Sequence, residues 1–95
     1  MEIEEILESL EQCIKNTTGA IMINVSREDS SSALLSLHLP TPLRVGDMDA
    51  MIYKLRRLLR EYGFLTEGAE LDAPEGTVII HFKVHKATNG ISYTI

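Results

Sequence analysis

The chain has 95 residues, a net charge of −5 and no bias toward disorder, so we expect one small domain spanning residues 1–95. The acidic balance argues against general affinity for nucleic acids. Cys13 is the only cysteine, which excludes an internal disulfide and is typical of a reducing compartment. Because no apolar run approaches the roughly 20 residues of a membrane span and no signal peptide is evident, we expect a cytoplasmic protein with no membrane partner.

Residues 2–16 are predicted to form an amphipathic helix. Its apolar stripe repeats with helical spacing and consists of Ile3, Ile6, Leu7, Leu10, Cys13 and Ile14. Cys13 lies on this stripe and is therefore expected to be a small buried hydrophobe, without the access that a nucleophile needs. The same segment is acidic, because it carries Glu2, Glu4, Glu5, Glu8 and Glu11.

Two alternating segments follow the first helix, and they predict a β-hairpin. In residues 20–26, Ile21, Ile23 and Val25 share one face. Residues 32–39 alternate in the same way, and the polar run between the two segments suits a turn. Proline at positions 40 and 42 ends the second strand, since proline supplies no N–H to a strand ladder.

Residues 47–62 predict the second amphipathic helix. Asp47 is expected to be its N-cap and Gly63 its left-handed end. The apolar stripe of this helix must be buried against the rest of the fold. Its opposite face is basic and consists of Lys54, Arg56, Arg57 and Arg60.

The C-terminal third predicts three strands. Residues 64–71 form a poor strand with internal charges, which suits an edge position, and Gly68 suits a bulge. Residues 77–86 alternate most clearly. The Asn89-Gly90 dipeptide predicts a tight hairpin that continues this strand into a last one. In that hairpin, Lys86 would lie opposite Tyr93 and Val84 opposite Ile95.

These elements predict an α+β fold, with two amphipathic helices packed on one face of a four- to five-stranded, mainly antiparallel sheet in the order α-β-β-α-β-β-β. A shift of 45 residues superimposes the helix stripes and the second strand of each hairpin. Duplication would produce this match, and so would two helix-plus-hairpin units of similar length. The local patterns do not fix how the two hairpins abut.

The sheet face away from the helices is the first candidate site. It is expected to leave three large apolar side chains uncovered, and exposed apolar patches usually mark interfaces. We therefore predict a non-enzymatic protein-interaction module that forms a homodimer, or binds another protein, through this face or through an edge strand. The predicted interface consists of Met22, Leu34, Ile79 and His81.

The basic helix face is the second candidate site. Its arginines can make bidentate contacts with phosphates, which predicts a nucleic-acid-binding protein as the alternative function. The same face suits an acidic protein partner. Against nucleic acid, there is no helix-turn-helix partner and no set of stacking aromatics. The predicted contact residues are Lys54, Arg56, Arg57 and Arg60.

No pattern predicts catalysis, a metal or a cofactor. A nucleophile, a base and an orienting group do not occur in any recognisable arrangement. His81 and His85 are four strand residues apart, about 13 Å, which is too far for both to chelate one ion. His38 is expected on the same sheet face, where it can approach only one of them. We therefore expect no metal site, no cofactor and no enzymatic activity.

Overall fold

The computed structural model describes residues 2–87. The helices and strands follow one another as α1 (Ile3–Ser9), α2 (Glu11–Thr18), β1 (Met22–Asp29), β2 (Ser32–Leu39), α3 (Val45–Glu61), β3 (Phe64–Asp72) and β4 (Val78–Lys86), with a short 3-10 turn at Pro74–Gly76 before β4. Within residues 2–87, the strands form a four-stranded antiparallel sheet in the order β1-β2-β4-β3. The predicted α+β fold is confirmed, and the two hairpins meet through their second strands.

The core lies between the helices and one face of the sheet. Alternate residues of β2 and β4 supply its floor, with Leu35, Leu37, Ile80 and Phe82 all fully or almost fully buried. The helices supply its other wall through Ile3, Leu7, Leu10, Ile14, Met51, Leu55 and Leu59. Burying each large apolar side chain contributes about 1.5–3 kcal/mol, so this layer supplies most of the stabilisation of the fold.

The first helical segment is broken at Leu10, which the stripe alone did not predict. The Leu10 N–H bonds to the carbonyls of Ile6 and Leu7, both at 3.1 Å, and the Ser9 hydroxyl donates to the Ile6 carbonyl at 2.7 Å. Cys13 lies in α2, three residues beyond the break, and it is exposed. The prediction of a buried Cys13 is wrong.

The N-cap of α3 lies three residues earlier than predicted. Its N-cap is Arg44, and the first helical bond runs from the Met48 N–H to the Arg44 carbonyl at 2.9 Å. Asp47 therefore lies within the first turn, where it still favours the positive end of the helix dipole, but it is not the cap. The helix ends as predicted, because Gly63 follows it with a φ of +85°.

The second hairpin confirms two predictions about β3. This strand lies at the edge of the sheet, and its pairing with β4 shifts by one residue between Glu67 and Glu70. The shift is a bulge at Gly68, whose φ of +69° suits glycine. The bulge bends the ladder in the middle of the strand.

The predicted hairpin at Asn89-Gly90 lies outside the described residues, but its proposed partners on β4 lie within them. Val84 pairs with Ala33 on β2 and with Thr66 on β3. On the same strand, the Lys86 N–H donates to the Ser31 carbonyl at 3.0 Å, and Lys86 pairs with Phe64. The described strands thus leave no free edge of β4 for the predicted pairing.

The shift of 45 residues is also visible in the strand pairing. Met22 pairs with His38 in the first hairpin, and Glu67 pairs with Lys83, 45 residues later, in the second. Where β2 and β4 pair, Ser36 lies opposite His81. His81 is also the residue that the shift of 45 positions makes equivalent to Ser36. The two αββ units are therefore arranged about an approximate two-fold axis at the centre of the sheet.

Candidate interaction surfaces

The sheet face away from the helices carries all four residues of the predicted interface. Met22 on β1 and Ile79 on β4 both pair with His38, so they lie in one row across the sheet. Leu34 lies two rows away on β2, and His81 lies on β4 in the row between them. Met22 is exposed, whereas Ile79, Leu34 and His81 are half-buried.

A polar row separates the apolar side chains of this face. It crosses the sheet through Asn24, Ser36, His81 and Glu70. The Ser36 Oγ and the His81 Nδ1 lie 2.7 Å apart, and Ser36 is only 8% exposed. This row runs between Leu34 on one side and Met22 and Ile79 on the other. The three apolar side chains therefore do not form one continuous patch.

Charged residues surround Leu34 on the other side of that row. The Lys83 ammonium lies 3.9 Å from the carboxylate of Glu28, and the His85 Nε2 lies 2.9 Å from the carboxylate of Glu67. An open cavity of about 200 Å³ is lined by Leu34 together with the charged groups of Glu28, Glu67 and Lys83. This part of the face is therefore polar, which distinguishes it from an apolar interface core.

Each histidine has a polar neighbour of its own. The His38 Nε2 lies 3.3 Å from the Asn24 Nδ2, while His81 and His85 contact Ser36 and Glu67 respectively. Across residues 2–87, no three His, Cys, Asp or Glu side chains are grouped so that they could hold a metal ion.

The outer edge of β1 is a second surface, and it is uncharged and partly apolar. Residues 20–26 contain no charged side chain. Ile21, just before the strand, is 65% exposed and Met22 is 45% exposed, while Ile23 and Val25 are half-buried at the rim of the core. Among residues 2–87, no strand pairs with this edge.

The hydrogen-bonding direction of β1 follows from the neighbouring ladder. The His38 carbonyl accepts from the Ile21 N–H at 2.8 Å, so His38 directs its backbone groups toward β1. Because antiparallel strands alternate in this respect, Met22 and Asn24 bond to β2, whereas Ile23, Val25 and Arg27 direct their N–H and C=O groups outward. The charge-free alternation of residues 20–26 was visible in the sequence, but its edge position was not.

The basic face of α3 is a third surface. Lys54, Arg56, Arg57 and Arg60 are all exposed, as predicted for a solvent-facing side. Within the described part of the chain, none of the four forms an ion pair. Tyr53 is 63% exposed, and the Arg57 guanidinium lies over its ring at 5.8 Å from the centroid. An open cleft of about 340 Å³ is lined by Tyr53, Arg57, Arg60 and Glu61.

Comparison with known proteins assigns the chain to no family. No protein-family model, curated protein or solved structure matches the chain. None of the helices described between residues 2 and 87 is both long and apolar enough to cross a membrane.

Proposed function

We propose that this protein is a non-enzymatic interaction module that pairs with a second copy of itself through the outer edge of β1. The observation that carries the proposal is the uncharged, partly apolar edge at residues 21–26. An unprotected edge of this kind presents a row of backbone donors and acceptors that another strand can satisfy.

Pairing about a two-fold axis would place the two β1 strands antiparallel, and the four strands described in residues 2–87 of each copy would form one sheet of eight. The outward backbone groups of Ile23, Val25 and Arg27 would then bond across the interface. The exposed side chains of Ile21 and Met22 would lose contact with water, as would the half-buried rims of Ile23 and Val25. The backbone hydrogen bonds would contribute affinity and fix the antiparallel direction, and the burial of the apolar side chains would add to the affinity.

The open sheet face supports self-association less well than the edge does. Its apolar residues are divided by the row through Ser36 and His81, and Leu34 is surrounded by charges. Met22 belongs to both surfaces, because it lies on the open face and also on the edge strand. Of the predicted interface residues, Met22 therefore has the strongest support.

Ser36 and His81 are the described residues that most resemble part of a catalytic arrangement, and their setting favours a structural role. Ser36 is 8% exposed and bonds to the Nδ1 of His81 from the middle of a central strand. The backbone N–H groups around it pair with the neighbouring strands, so they are not available to stabilise an oxyanion. This supports a protein without hydrolytic activity.

The replacement of Ile21 by lysine tests the β1 interface. We expect the wild type to approach twice its chain mass of 10.6 kDa as its concentration rises, in light scattering behind size exclusion at about 0.5 M salt, which screens contacts between exposed charges. Ile21→Lys places a charge where an apolar side chain would be buried, and we expect at least a tenfold weaker dimer, about 1.4 kcal/mol.

Leu71→Lys is the matched control, because Leu71 is an exposed apolar residue (58%) near the end of the opposite edge strand. We expect its dimerisation to equal that of the wild type. A wild type that stays at 10.6 kDa at high concentration would contradict the proposal, and so would equal effects of the two substitutions.

A further inference from the structure

The helices α1 and α3 carry charged faces of opposite sign: the face on α1 is acidic, and the face on α3 is basic. On α1, Glu4 and Glu8 are one helical turn apart and therefore share a face. On α3, Arg56 and Arg60 have the same spacing, and Arg57 lies beside them. Opposite charges at matching spacing allow one helix to lie along the other.

Ion pairs inside the chain involve only some of the charged side chains of the helices. Glu2 lies 3.7 Å from the guanidinium of Arg27, and Glu11 lies 2.9 Å from the ammonium of Lys15. Within residues 2–87, Glu4 and Glu8 form no ion pair, and neither do the cations of α3. Charges of both signs are thus available for contact with another molecule.

We infer that the basic face of α3 binds the acidic face of α1 on another copy of the chain. The cleft beside Tyr53 supports this occupant, because its aromatic ring and two guanidinium groups suit a carboxylate side chain. Glu61 lines the same cleft, and the chain carries a net charge of −5. Both disfavour a polyanion such as nucleic acid relative to a short acidic helix.

This contact uses no residue of β1, so it can be separated from the proposed dimer. Pairing through β1 would bring the two α1 helices together and leave the α3 helices at the far ends. The contact between α1 and α3 would therefore join one dimer to the next, and salt would weaken it because Glu8 and the arginines are exposed.

A charge-swap experiment tests the inference in the Ile21→Lys background, where the β1 interface is weakened. We expect this parent protein to exceed 10.6 kDa in light scattering at about 20 mM salt and to return to that mass at about 0.5 M. A first variant adds Arg57→Glu and Arg60→Glu, and a second adds Glu4→Lys and Glu8→Lys. In each variant alone, the four tested positions (4, 8, 57 and 60) all carry charges of one sign, so we expect each variant to remain monomeric.

Mixing the two variants restores opposite charges between their faces. We expect the mixture to associate at low salt, with an affinity at least tenfold higher than that of either variant for itself. A parent that is monomeric at low salt, or variants that associate as the parent does, would overturn the inference.

Binding of a fluorescent single-stranded oligonucleotide tests whether the basic face of α3 binds nucleic acid instead. Binding that Arg57→Glu and Arg60→Glu abolish, combined with no association in the mixture, would identify the face as a nucleic-acid site and would also overturn the inference. Since these outcomes concern α1 and α3, they do not depend on the result for Ile21→Lys and Leu71→Lys in the otherwise wild-type chain.

Discussion

The two edges of the sheet occupy equivalent places in the two αββ units and differ in almost every feature that governs strand pairing. The edge strand β3 carries Glu67, Glu70 and Asp72, and the Gly68 bulge interrupts its ladder. In β1, no charge occurs before Arg27, and its pairing is regular from Met22 to that residue. Charges and bulges are the usual protection of an edge against further pairing.

The difference teaches that edge protection is a property of individual residues and not of the fold. Both strands belong to the same sheet, contribute to the same core and follow helices of similar pattern. One edge nevertheless resists pairing while the other leaves it possible. A function based on pairing therefore needs only one unprotected edge, and a closed dimer needs the second edge to stay protected.

The largest expected effect is a loss of stability caused by a change in the core, which lies between the two edge strands. Phe82 is fully buried opposite Leu35, and Phe82→Ala should lower the free energy of unfolding by about 3–5 kcal/mol, because it leaves a cavity in a packed layer. Chemical denaturation measures this loss. The exposed Leu71→Ala should change stability by less than about 0.5 kcal/mol. Similar losses for the two variants would mean that the core does not lie where the structure places it.

Removing the bulge and two of the charges of β3 tests most directly whether these features distinguish the two edges. Deletion of Gly68 together with Glu67→Thr and Glu70→Thr would straighten the strand and remove two of its charges. We expect association beyond the dimer that grows with concentration, because both edges of each copy can then pair. Sedimentation velocity measures the size distribution.

The control for this experiment keeps the bulge. Glu67→Thr and Glu70→Thr without the deletion should leave the dimer as the main associated species. If the deletion variant remains a dimer under the same conditions, the bulge at Gly68 is not what protects β3.

The smallest expected effect is at the turn that joins β1 to β2. The Asp29 carboxylate accepts from the Ser31 N–H at 2.9 Å and from its hydroxyl at 3.3 Å. Hydrogen bonds from Ser31, the backbone N–H first, and from Ser32 lower the pKa of Asp29 below its ordinary value. Asp29→Ala should therefore lower Tm slightly at neutral pH.

The pH dependence of this effect has a defined sign. Because the pKa of Asp29 is lower in the folded state, its contribution is present above the unfolded pKa of about 4 and is lost as pH falls through the folded pKa. The difference in Tm between wild type and Asp29→Ala should thus shrink in acid. A difference that stays constant down to strongly acidic pH would contradict a role for the carboxylate.

Local patterns in the sequence predicted most of the elements, because each pattern reflects local physics. The bounds of β2, the end of α3 at Gly63 and the bulge at Gly68 all follow from alternation or from the conformational freedom of glycine. The start of α3 was missed, since Asp47 is a good cap by type but the chain is already helical two residues before it. Cys13 was misplaced because the spacing of a stripe shows which residues share a helix face but not how far the core covers that face.

The candidate site could be predicted only in part, because surfaces depend on contacts between distant segments. The open face was predicted with its residues, since alternation alone assigns them to it. The polar row that divides this face arises where β2 pairs with β4, and no local pattern specifies that register. For the same reason, the sequence showed an uncharged segment at residues 20–26 but could not place it at an edge.

The pairing of Ser36 with His81 has a consequence for shorter chains. Since each residue lies opposite its counterpart in the other unit, a half-chain ending after β2 has the geometry to rebuild the centre of the sheet with a second half-chain. In that arrangement Leu35 would face Leu37 of the other half-chain, and Ala33 would face its Leu39. Every core position along the join would then meet an apolar side chain, so the middle of this monomer is self-complementary in the way that a symmetric assembly requires.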